Sequence, residues 1–467
     1  LENKPVKENF GGCRTCMKCL LNKAVVVVRL NDPLCKPCFL AYFTHKFRAT
    51  IGKARVIRAG EKVLLAFSGG PSSSAMLHLV CEGLSPGAPK KLRFEPGIAF
   101  IDEGEILKPT REERQKYIER IRGIASKTEF PFHLFNLEDI FTLEKSAQDD
   151  AICCKKFEKQ ESGNDSAEKL SNLFDVTLSM TAKEDLLRTL RCQLLLATAR
   201  KEGYSKVMLA DCATRISIRL LSDVSQGRGA DLPFDTGFSD NRHGDVTLIR
   251  PMREFATKEI ALYNFFNSVE TVPITTLGTM SHTHASIDRL TEEFVTGLQA
   301  DFPFTVSTIF RTGDKLSAMD SSDDTTNCAF CGVPMNLGPN HFSTLSDSKL
   351  DSKLDIGASS FVGDCDSGCS SSSSGRWLTK QLVLETFCYG CQLTFRDVKF
   401  NPNDLPAYVV ETANKILQRA QMKEQIKDFL LDDIYALIVF GCYSLATIGY
   451  RVATFNDCVE ASESLKQ

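Results

Sequence analysis

The apolar residues between positions 61 and 303 fall into short runs that alternate with amphipathic stretches. Five runs are rich in Val, Ile, Leu and Phe and have the length of buried strands. Between them, apolar residues recur at three- and four-residue spacing, which predicts helices. The predicted strands are KVLLAF, LRFEPGIAFID, FPFHLFNL, SKVMLA and DVTLIRP. The predicted helices are Ser73–Glu82, Arg111–Ala125, Lys183–Lys201, Arg215–Ser225, Thr257–Ser268 and Ser286–Gln299.

This alternation predicts an α/β fold in which helices cover both faces of a parallel, Rossmann-like sheet. The pattern changes on either side of that core. A charged, turn-rich insertion is expected within it at about 143–173. The chain is therefore predicted to divide into a cysteine-rich head with a basic helix (1–59), the α/β domain (60–303), a second cysteine element with a Ser-rich insertion and a helix (304–433), and an atypical tail (434–467).

Composition narrows the classes of function. The 467 residues carry a formal net charge of −3, so binding to nucleic acid would need a local basic patch. No secretory signal precedes the 18 cysteines, which favours reduced or metal-bound thiols and a cytoplasmic location. The uncharged run Ile434–Tyr450 is at the lower limit for a membrane span, and we expect it to pack rather than to cross a membrane.

One basic patch stands out in the stretch HKFRATIGKARVIRAGEK. It holds six Lys and Arg residues against a single Glu. Such a run is either a solvated face or a contact for RNA phosphates. The six basic residues that could make such a contact are Lys46, Arg48, Lys53, Arg55, Arg58 and Lys62.

The first predicted strand runs into the loop Ser68-Gly69-Gly70-Pro71-Ser72-Ser73-Ser74. A turn from a strand into a helix directs free backbone N–H groups at a ligand, and the helix dipole favours an anion. Two glycines allow close approach, and hydroxyl groups add donors. The same residues also make ordinary turns. The predicted nucleotide-binding residues are Ser68, Gly69, Gly70, Ser72, Ser73 and Ser74.

Two pairs of C-x-x-C motifs predict metal sites. Cys16 and Cys19 precede Cys35 and Cys38 by 15 residues, a spacing typical of a four-cysteine zinc site. Cys13 with Cys16 is an alternative first pair. A second set joins Cys328 and Cys331 to Cys388 and Cys391 across a Ser-rich stretch in which Cys365 and Cys369 could compete. One or two Zn²⁺ ions are expected.

Cys212 is a weak candidate for a reactive thiol. It follows the predicted strand SKVMLA, so it should lie at the ligand-binding edge of the sheet. A buried cysteine that serves as a small apolar residue is the competing interpretation.

These motifs together resemble a known family. The paired C-x-x-C motifs, the SGGPSSS loop, FIDEG at Phe100–Gly104 and IRPMREFATKEIALYNFF are similar to the second subunit of the cytoplasmic tRNA 2-thiolation complex. The similarity spans about Cys16 to Asp433. It implies a degenerate N-type ATP pyrophosphatase fold and a part in 2-thiolation of the wobble uridine of tRNA. The implied partners are tRNA, a paralogous catalytic subunit and a ubiquitin-like sulfur carrier, and the resemblance makes the six basic residues within Lys46–Lys62 candidates for binding tRNA.

The chain departs from the active pattern S-G-G-x-D-S of such pyrophosphatases. Ser72 stands where the pattern has Asp, and a hydroxyl is a poor replacement for a carboxylate that helps to hold Mg²⁺. The resemblance therefore implies a subunit that is non-catalytic alone, with binding of ATP and Mg²⁺ left open. Two alternatives are a self-sufficient ATP-dependent tRNA sulfurtransferase and a zinc-ribbon scaffold that binds no nucleotide.

Overall fold

The computed structural model describes most of the chain up to residue 425. Every described residue up to 413 belongs to one unit, and residues 414–425 belong to another. Cys13, Cys365, Cys369 and the run Ile434–Tyr450 lie outside the described residues. The described residues are 15–28, 31–88, 91–145, 152–154, 163–273, 275–280, 282, 284–316, 326–335 and 378–425.

Helices and strands alternate along the central part of the chain. The strands are β1 Val26–Val28, β2 Asp32–Leu34, β3 Lys62–Ala66, β4 Glu95–Asp102, β5 Phe132–Asn136, β6 Leu143–Lys145, β7 Ile152–Cys154, β8 Lys206–Met208, β9 Ser239–Asp240, β10 Thr247–Ile249, β11 Thr326–Asn327 and β12 Pro334–Met335. The helices are α1 Lys36–Ala54, α2 Pro71–Leu84, α3 Gly104–Leu107, α4 Arg111–Ser126, α5 Gly163–Val176, α6 Met180–Glu202, α7 Ala213–Ser225, α8 Leu232–Thr236, α9 Thr257–Asn267, α10 Leu277–Met280, α11 Ile287–Asp301, α12 Thr305–Gly313, α13 Lys380–Glu385, α14 Tyr389–Phe395 and α15 Ala407–Gln425.

The central sheet has six strands in the order β5–β4–β3–β8–β10–β9. The first five are parallel to one another, and β9 runs antiparallel to β10. This confirms the α/β fold with a parallel, Rossmann-like sheet, and all five predicted strands are present in it. Counted along the chain, the parallel strands have the order 3-2-1-4-5, so the direction of winding reverses between β3 and β8.

Both faces of the sheet are covered. Val63 and Leu65 of β3 point into a core built with α1, α2, α4 and α9, whereas Leu64 points to the opposite face and packs with Leu195 and Leu196 of α6. Successive side chains of a strand point to opposite faces, and here both faces are buried. A run of consecutive apolar residues is therefore what such a strand requires.

Helix α1 attaches the N-terminal cysteine element to this core. Its buried residues Phe39, Phe43 and Phe47 recur every fourth position and so form one stripe. Phe43 stacks on Tyr263 of α9, with ring centroids 4.3 Å apart, and lies at the same distance from Phe255. The stretch that is basic in sequence therefore also packs the N-terminal cysteine element against the core through its apolar residues.

The predicted insertion at 143–173 differs from expectation in its second half. Helix α5 covers Gly163–Val176, and its Leu170, Leu173 and Phe174 are buried. These residues lie on one helical face, which packs on α3 and on the 3-10 helix Leu137–Thr142. The helical spacing of these three apolar residues is present in the sequence. The stripe is short and surrounded by charged residues, so the segment was predicted as a charged insertion and not as a helix.

Candidate functional site

The reversal of winding between β3 and β8 defines the place where a ligand would bind. In open α/β sheets this is the crevice outside the carboxyl ends of the two strands at the switch point. The loop after β3 begins at Phe67, and the segment after β8 runs from Leu209 to Cys212. Both border one open cleft of about 3410 Å³. The sheet topology therefore places the Ser-Gly loop where the sequence predicted it.

Backbone geometry shapes this loop. Gly69 has a φ of +75°, in the left-handed region, and a Cβ atom there would lie 2.5 Å from Ile121 Cδ1. Its carbonyl oxygen accepts a hydrogen bond of 2.9 Å from the backbone N–H of Val272. Gly70 caps α2, and Pro71 opens the helix at a position that needs no N–H donor. Ser72 and Ser73, in the first turn of this helix, line the cleft.

The serines of the loop have different roles. Ser68, Ser72 and Ser73 line the cleft. The Ser73 hydroxyl lies 3.2 Å from that of Ser68 and donates to the Gly70 carbonyl oxygen at 3.0 Å. Ser74, which is buried like Ser73, is not among the residues that line the cleft, and its hydroxyl donates to the Gly69 carbonyl oxygen at 3.2 Å. Its hydroxyl closes the helix start, because the first helical turn directs it inward.

The acidic residue at the end of the neighbouring strand is already paired. Asp211 lies 3.4 Å from Arg219 and 3.5 Å from Arg250. Despite the desolvation of Asp211, these cations hold the pKa of its carboxyl below its usual range. Asp211 therefore remains a carboxylate, but its charge is neutralised by arginine. The described part of the loop between β3 and α2 contains no acidic residue, so it offers no carboxylate ligand for Mg²⁺.

Cys212 lies at the predicted edge of the sheet but is not presented as a nucleophile. It lines the cleft, yet only 1 % of it is exposed, and its Sγ lies 3.5 Å from Thr257 Oγ1. A reactive thiol needs access and an activating charge. Cys192 also lines the cleft, and burial raises the pKa of its thiol to about 11. Both thiols behave as small apolar groups of the cleft wall.

The first set of cysteines is brought together as the spacing suggested. The sulfur atoms of Cys16, Cys19, Cys35 and Cys38 all lie within 4.8 Å of one another, and the Sγ atoms of Cys19 and Cys35 are 3.7 Å apart. A tetrahedral ion with bonds of about 2.3 Å to sulfur needs sulfur atoms about 3.8 Å apart. The four sulfur atoms of this set thus fit one metal ion.

The second set of cysteines forms an equivalent group. Cys328, Cys331, Cys388 and Cys391 also place their sulfur atoms within 4.8 Å, with 3.6 Å between the Sγ atoms of Cys331 and Cys388. Gly332 follows the first pair with a φ of +76°, and its N–H donates to the Cys328 carbonyl oxygen at 2.9 Å. Each of the two cysteine sets could therefore hold a metal ion.

The two cysteine sets share a plan that the spacing did not reveal. In each, the first C-x-x-C lies in a tight turn beside a short antiparallel strand pair, β1–β2 or β11–β12. The second C-x-x-C begins a helix, with Cys35 capping α1 and Cys388 capping α14. A helix N-terminus favours negative charge, so it stabilises thiolate ligands.

The basic stretch is divided by the structure. Lys46 lines the cleft, but its Nζ donates to the Glu254 carbonyl oxygen at 2.8 Å and lies 4.6 Å from the centre of the Phe255 ring. Arg48 is half-buried on α1. The exposed members do not line the cleft; they are Lys53, Arg55, Arg58 and Lys62.

A buried network of ion pairs under the cleft was not predicted. Arg228 donates to Asp185 and, at 3.1 Å, to Thr394 Oγ1 of α14. Thr394 in turn donates to Asp185 at 2.6 Å, and Arg188 pairs with Asp185 at 2.7 Å. The contacts of Arg228 and Thr394 join residues far apart in the chain, so no local sequence signal could reveal them. The network fixes the C-terminal cysteine element to α6.

The fold and the two cysteine sets define a class: an α/β protein with a Ser-Gly loop at the carboxyl edge of a parallel sheet and two four-cysteine elements. A family model described as cytoplasmic tRNA 2-thiolation protein 2 matches residues 286–393. Cytoplasmic tRNA 2-thiolation protein 2-A of Xenopus laevis is 41% identical, with 92% of this chain and 97% of that protein covered. The human protein of the family is 36% identical, with 90% and 93% covered. The chain belongs to the cytoplasmic tRNA 2-thiolation protein 2 family.

Two further comparisons concern the fold and the tail. The solved structure of the U34-tRNA thiolase NcsA from Methanococcus maripaludis, with its [4Fe-4S] cluster, has a TM-score of 0.49 and 15% identity, covering 69% of this chain and 96% of that chain. A second family model, described as dolichol-phosphate mannosyltransferase subunit 3, matches residues 406–467. The end of the chain thus resembles a different family. Among the described residues, no helix has the length and apolar character needed to cross a membrane.

Proposed function

We propose that this chain is a subunit of the cytoplasmic complex that 2-thiolates the wobble uridine of tRNA, and that it acts by binding tRNA and supporting a paralogous catalytic subunit. Its membership of the tRNA 2-thiolation protein 2 family is the observation that carries this proposal. Sulfur would be delivered by a ubiquitin-like carrier as a thiocarboxylate. Adenylation of the uridine C2 oxygen turns a poor leaving group into AMP, which a sulfur nucleophile can displace.

The architecture of the cleft supports a non-catalytic role. The loop retains backbone donors and hydroxyl groups that suit an anion, but Ser72 replaces the acidic residue, and Asp211 is neutralised by two arginines. Cys212 is buried, which disfavours the alternative of a self-sufficient sulfurtransferase. The partner subunit would then supply the carboxylate and the reactive cysteines, and the ubiquitin-like carrier would supply the sulfur.

We propose Zn²⁺ as the ion of both cysteine sets. Four thiolates in tetrahedral arrangement and without an open position are typical of structural zinc. Such an ion contributes directly to the folding of a small element. The zinc-bound elements, together with the exposed face of Lys53, Arg55, Arg58 and Lys62, would contact the tRNA backbone.

The experiment that tests the proposal measures release of AMP and pyrophosphate with ATP, Mg²⁺ and unmodified tRNA. We expect no turnover by the purified chain alone and turnover after the paralogous subunit is added. Clear turnover by the chain alone would make it an enzyme in its own right. Absence of both nucleotide and tRNA binding would favour the zinc-ribbon scaffold.

A further inference from the structure

Two exposed aromatic side chains lie at the border of the cleft in a position that the core does not require. Phe302 and Phe304 flank the turn between α11 and α12, and 63% and 51% of their surfaces are exposed. Both line the cleft. Exposure of an aromatic ring to water is unfavourable in free energy unless a partner covers the ring. Two exposed rings in one turn therefore indicate a contact surface.

Cations line the same cleft. Arg215, Lys258 and Arg311 are exposed, and each belongs to an element that borders it: α7, α9 or α12. Arg215 keeps 65% of its side chain exposed although Glu292 lies 4.0 Å away. Acidic residues are also present at this border: Asp314 is paired with Arg253 at 2.8 Å, whereas Glu254 and Asp301 are exposed. The border of the cleft that these residues form, called its mouth below, therefore combines flat apolar rings with accessible positive charge.

The size of the cleft argues for a macromolecular segment as its occupant. Sites for small ligands have volumes of about 300–1,000 Å³. The cleft, at about 3410 Å³, leaves room beyond what a nucleotide at the Ser-Gly loop would take. Rings beside cations are the combination that binds unpaired nucleotides, because bases stack on the rings while phosphates meet the cations.

We propose that Phe302, Phe304, Arg215, Lys258 and Arg311 form a binding site for the unpaired nucleotides of an RNA loop. This inference rests on the proposed role in tRNA binding and specifies where the loop enters. The exposed face of α1 that includes Lys53 would contact the paired backbone outside the cleft. Because of its rings and cations, the mouth of the cleft would bind a hairpin loop more tightly than a duplex.

The test compares two fluorescent RNA probes on the full chain: a hairpin with a seven-nucleotide loop and a fully paired duplex with the same number of phosphates. We expect Phe302→Ala and Phe304→Ala each to weaken hairpin binding at least about fivefold, the effect of losing one stacked base. Duplex binding should not change. Phe294→Ala is the matched control, because Phe294 is 57% exposed on α11 but does not line the cleft.

Salt dependence tests the cations separately. A plot of log association constant against log salt concentration has a negative slope. Lys258→Gln and Arg311→Gln should each make this slope less steep by about 0.7 for the hairpin. Lys53→Gln should weaken hairpin and duplex alike. Thermal unfolding of each variant verifies that it is folded.

Three results would overturn the inference. The first is that the Phe302 and Phe304 variants bind both probes as wild type does, or weaken both equally. The second is that they lose only association with the paralogous subunit, which would make the mouth a protein interface. In both cases a wild-type chain that binds RNA leaves the proposed function intact. The third is a wild-type chain that binds neither probe, which would also remove the proposed role in tRNA binding.

Discussion

The hydroxyl oxygens of Ser68 and Ser73 lie 3.2 Å apart across the loop that joins β3 to α2. The residue before Ser73 is Ser72, which lines the cleft and takes the place of the aspartate in the active pattern. The contact between the two hydroxyls joins the start of the loop to the first turn of α2. A carboxylate added at Ser72 would therefore enter a preformed loop.

Ser72→Asp should restore part of a site for Mg²⁺ and pyrophosphate. We expect Mg²⁺-dependent ATP binding to tighten by about tenfold, because Mg²⁺ bound to phosphates usually takes one or two protein carboxylates. Titration calorimetry with ATP, with and without Mg²⁺, measures the change. Ser72→Asn has the same size without the charge and should have no such effect. Equal tightening by Asn would show that the loop does not recruit the metal.

Metal content should be two ions per chain, one for each cysteine set. Cys16→Ser and Cys388→Ser should each remove one ion, because three thiolates and a hydroxyl hold Zn²⁺ far less well than four thiolates do. Elemental analysis of the purified chain gives the count and the identity of the metal. Cys81→Ser, outside both sets, serves as the control. If the analysis finds iron and the chain has a visible absorption band, one of the cysteine sets holds an iron–sulfur cluster and not zinc.

Arg228→Met should destabilise the C-terminal cysteine element strongly. Arg228 is 6% exposed and Asp185 is 3% exposed, so removal of the cation takes away one of the two described ion pairs of a buried carboxylate, which keeps its contacts with Arg188 and the Thr394 hydroxyl. Breaking a buried pair typically costs about 3–5 kcal/mol of the free energy of unfolding. Urea unfolding and limited proteolysis between residues 378 and 413 would report the loss.

An exposed ion pair provides the contrast. Lys169 and Asp165 form a pair on α5 with both side chains largely exposed. Lys169→Ala should change the free energy of unfolding by less than about 0.5 kcal/mol. Equal effects of the two variants would contradict a special role of the buried network.

Glu138 should make stability depend on pH. Burial raises the pKa of its carboxyl to about 7, although Arg114 opposes this rise and Asp139 and Glu105 support it. The folded chain then keeps a proton that the unfolded chain loses near pH 4.5. Stability should fall as the pH rises through this window and level off above about 7.

Glu138→Gln removes this cost, because its side chain stays neutral at every pH. Relative to wild type it should gain about 1 kcal/mol between pH 5 and pH 8, a figure reduced for solvent screening of a partly exposed group. Thermal unfolding at both pH values measures the difference. Glu112→Gln, on the exposed face of α4, controls for the loss of one surface carboxylate. A constant difference between wild type and Glu138→Gln across this range would refute the assignment.

The sequence by itself determined the parallel sheet and its helices. Strands buried on both faces must be continuous apolar runs such as Val63–Leu65, and the helices between them need one apolar stripe, so both leave a local pattern. The C-x-x-C spacing also indicated which cysteines lie together. Two cysteines separated by two residues can bind the same ion, and two such pairs complete a tetrahedral site. The charged surroundings of α5 concealed a helix whose apolar stripe is short.

Only the tertiary structure decided what surrounds the loop. The pairing of Asp211 with two arginines, the inward turn of Ser74 and the link from Arg228 to Thr394 depend on how the chain folds around the cleft. The division of the basic stretch has the same origin: one side of α1 packs on α9, which draws Lys46 into contacts with the core and leaves Lys53 exposed. Local periodicity specifies which residues are apolar, but the partners of polar side chains are chosen by the fold.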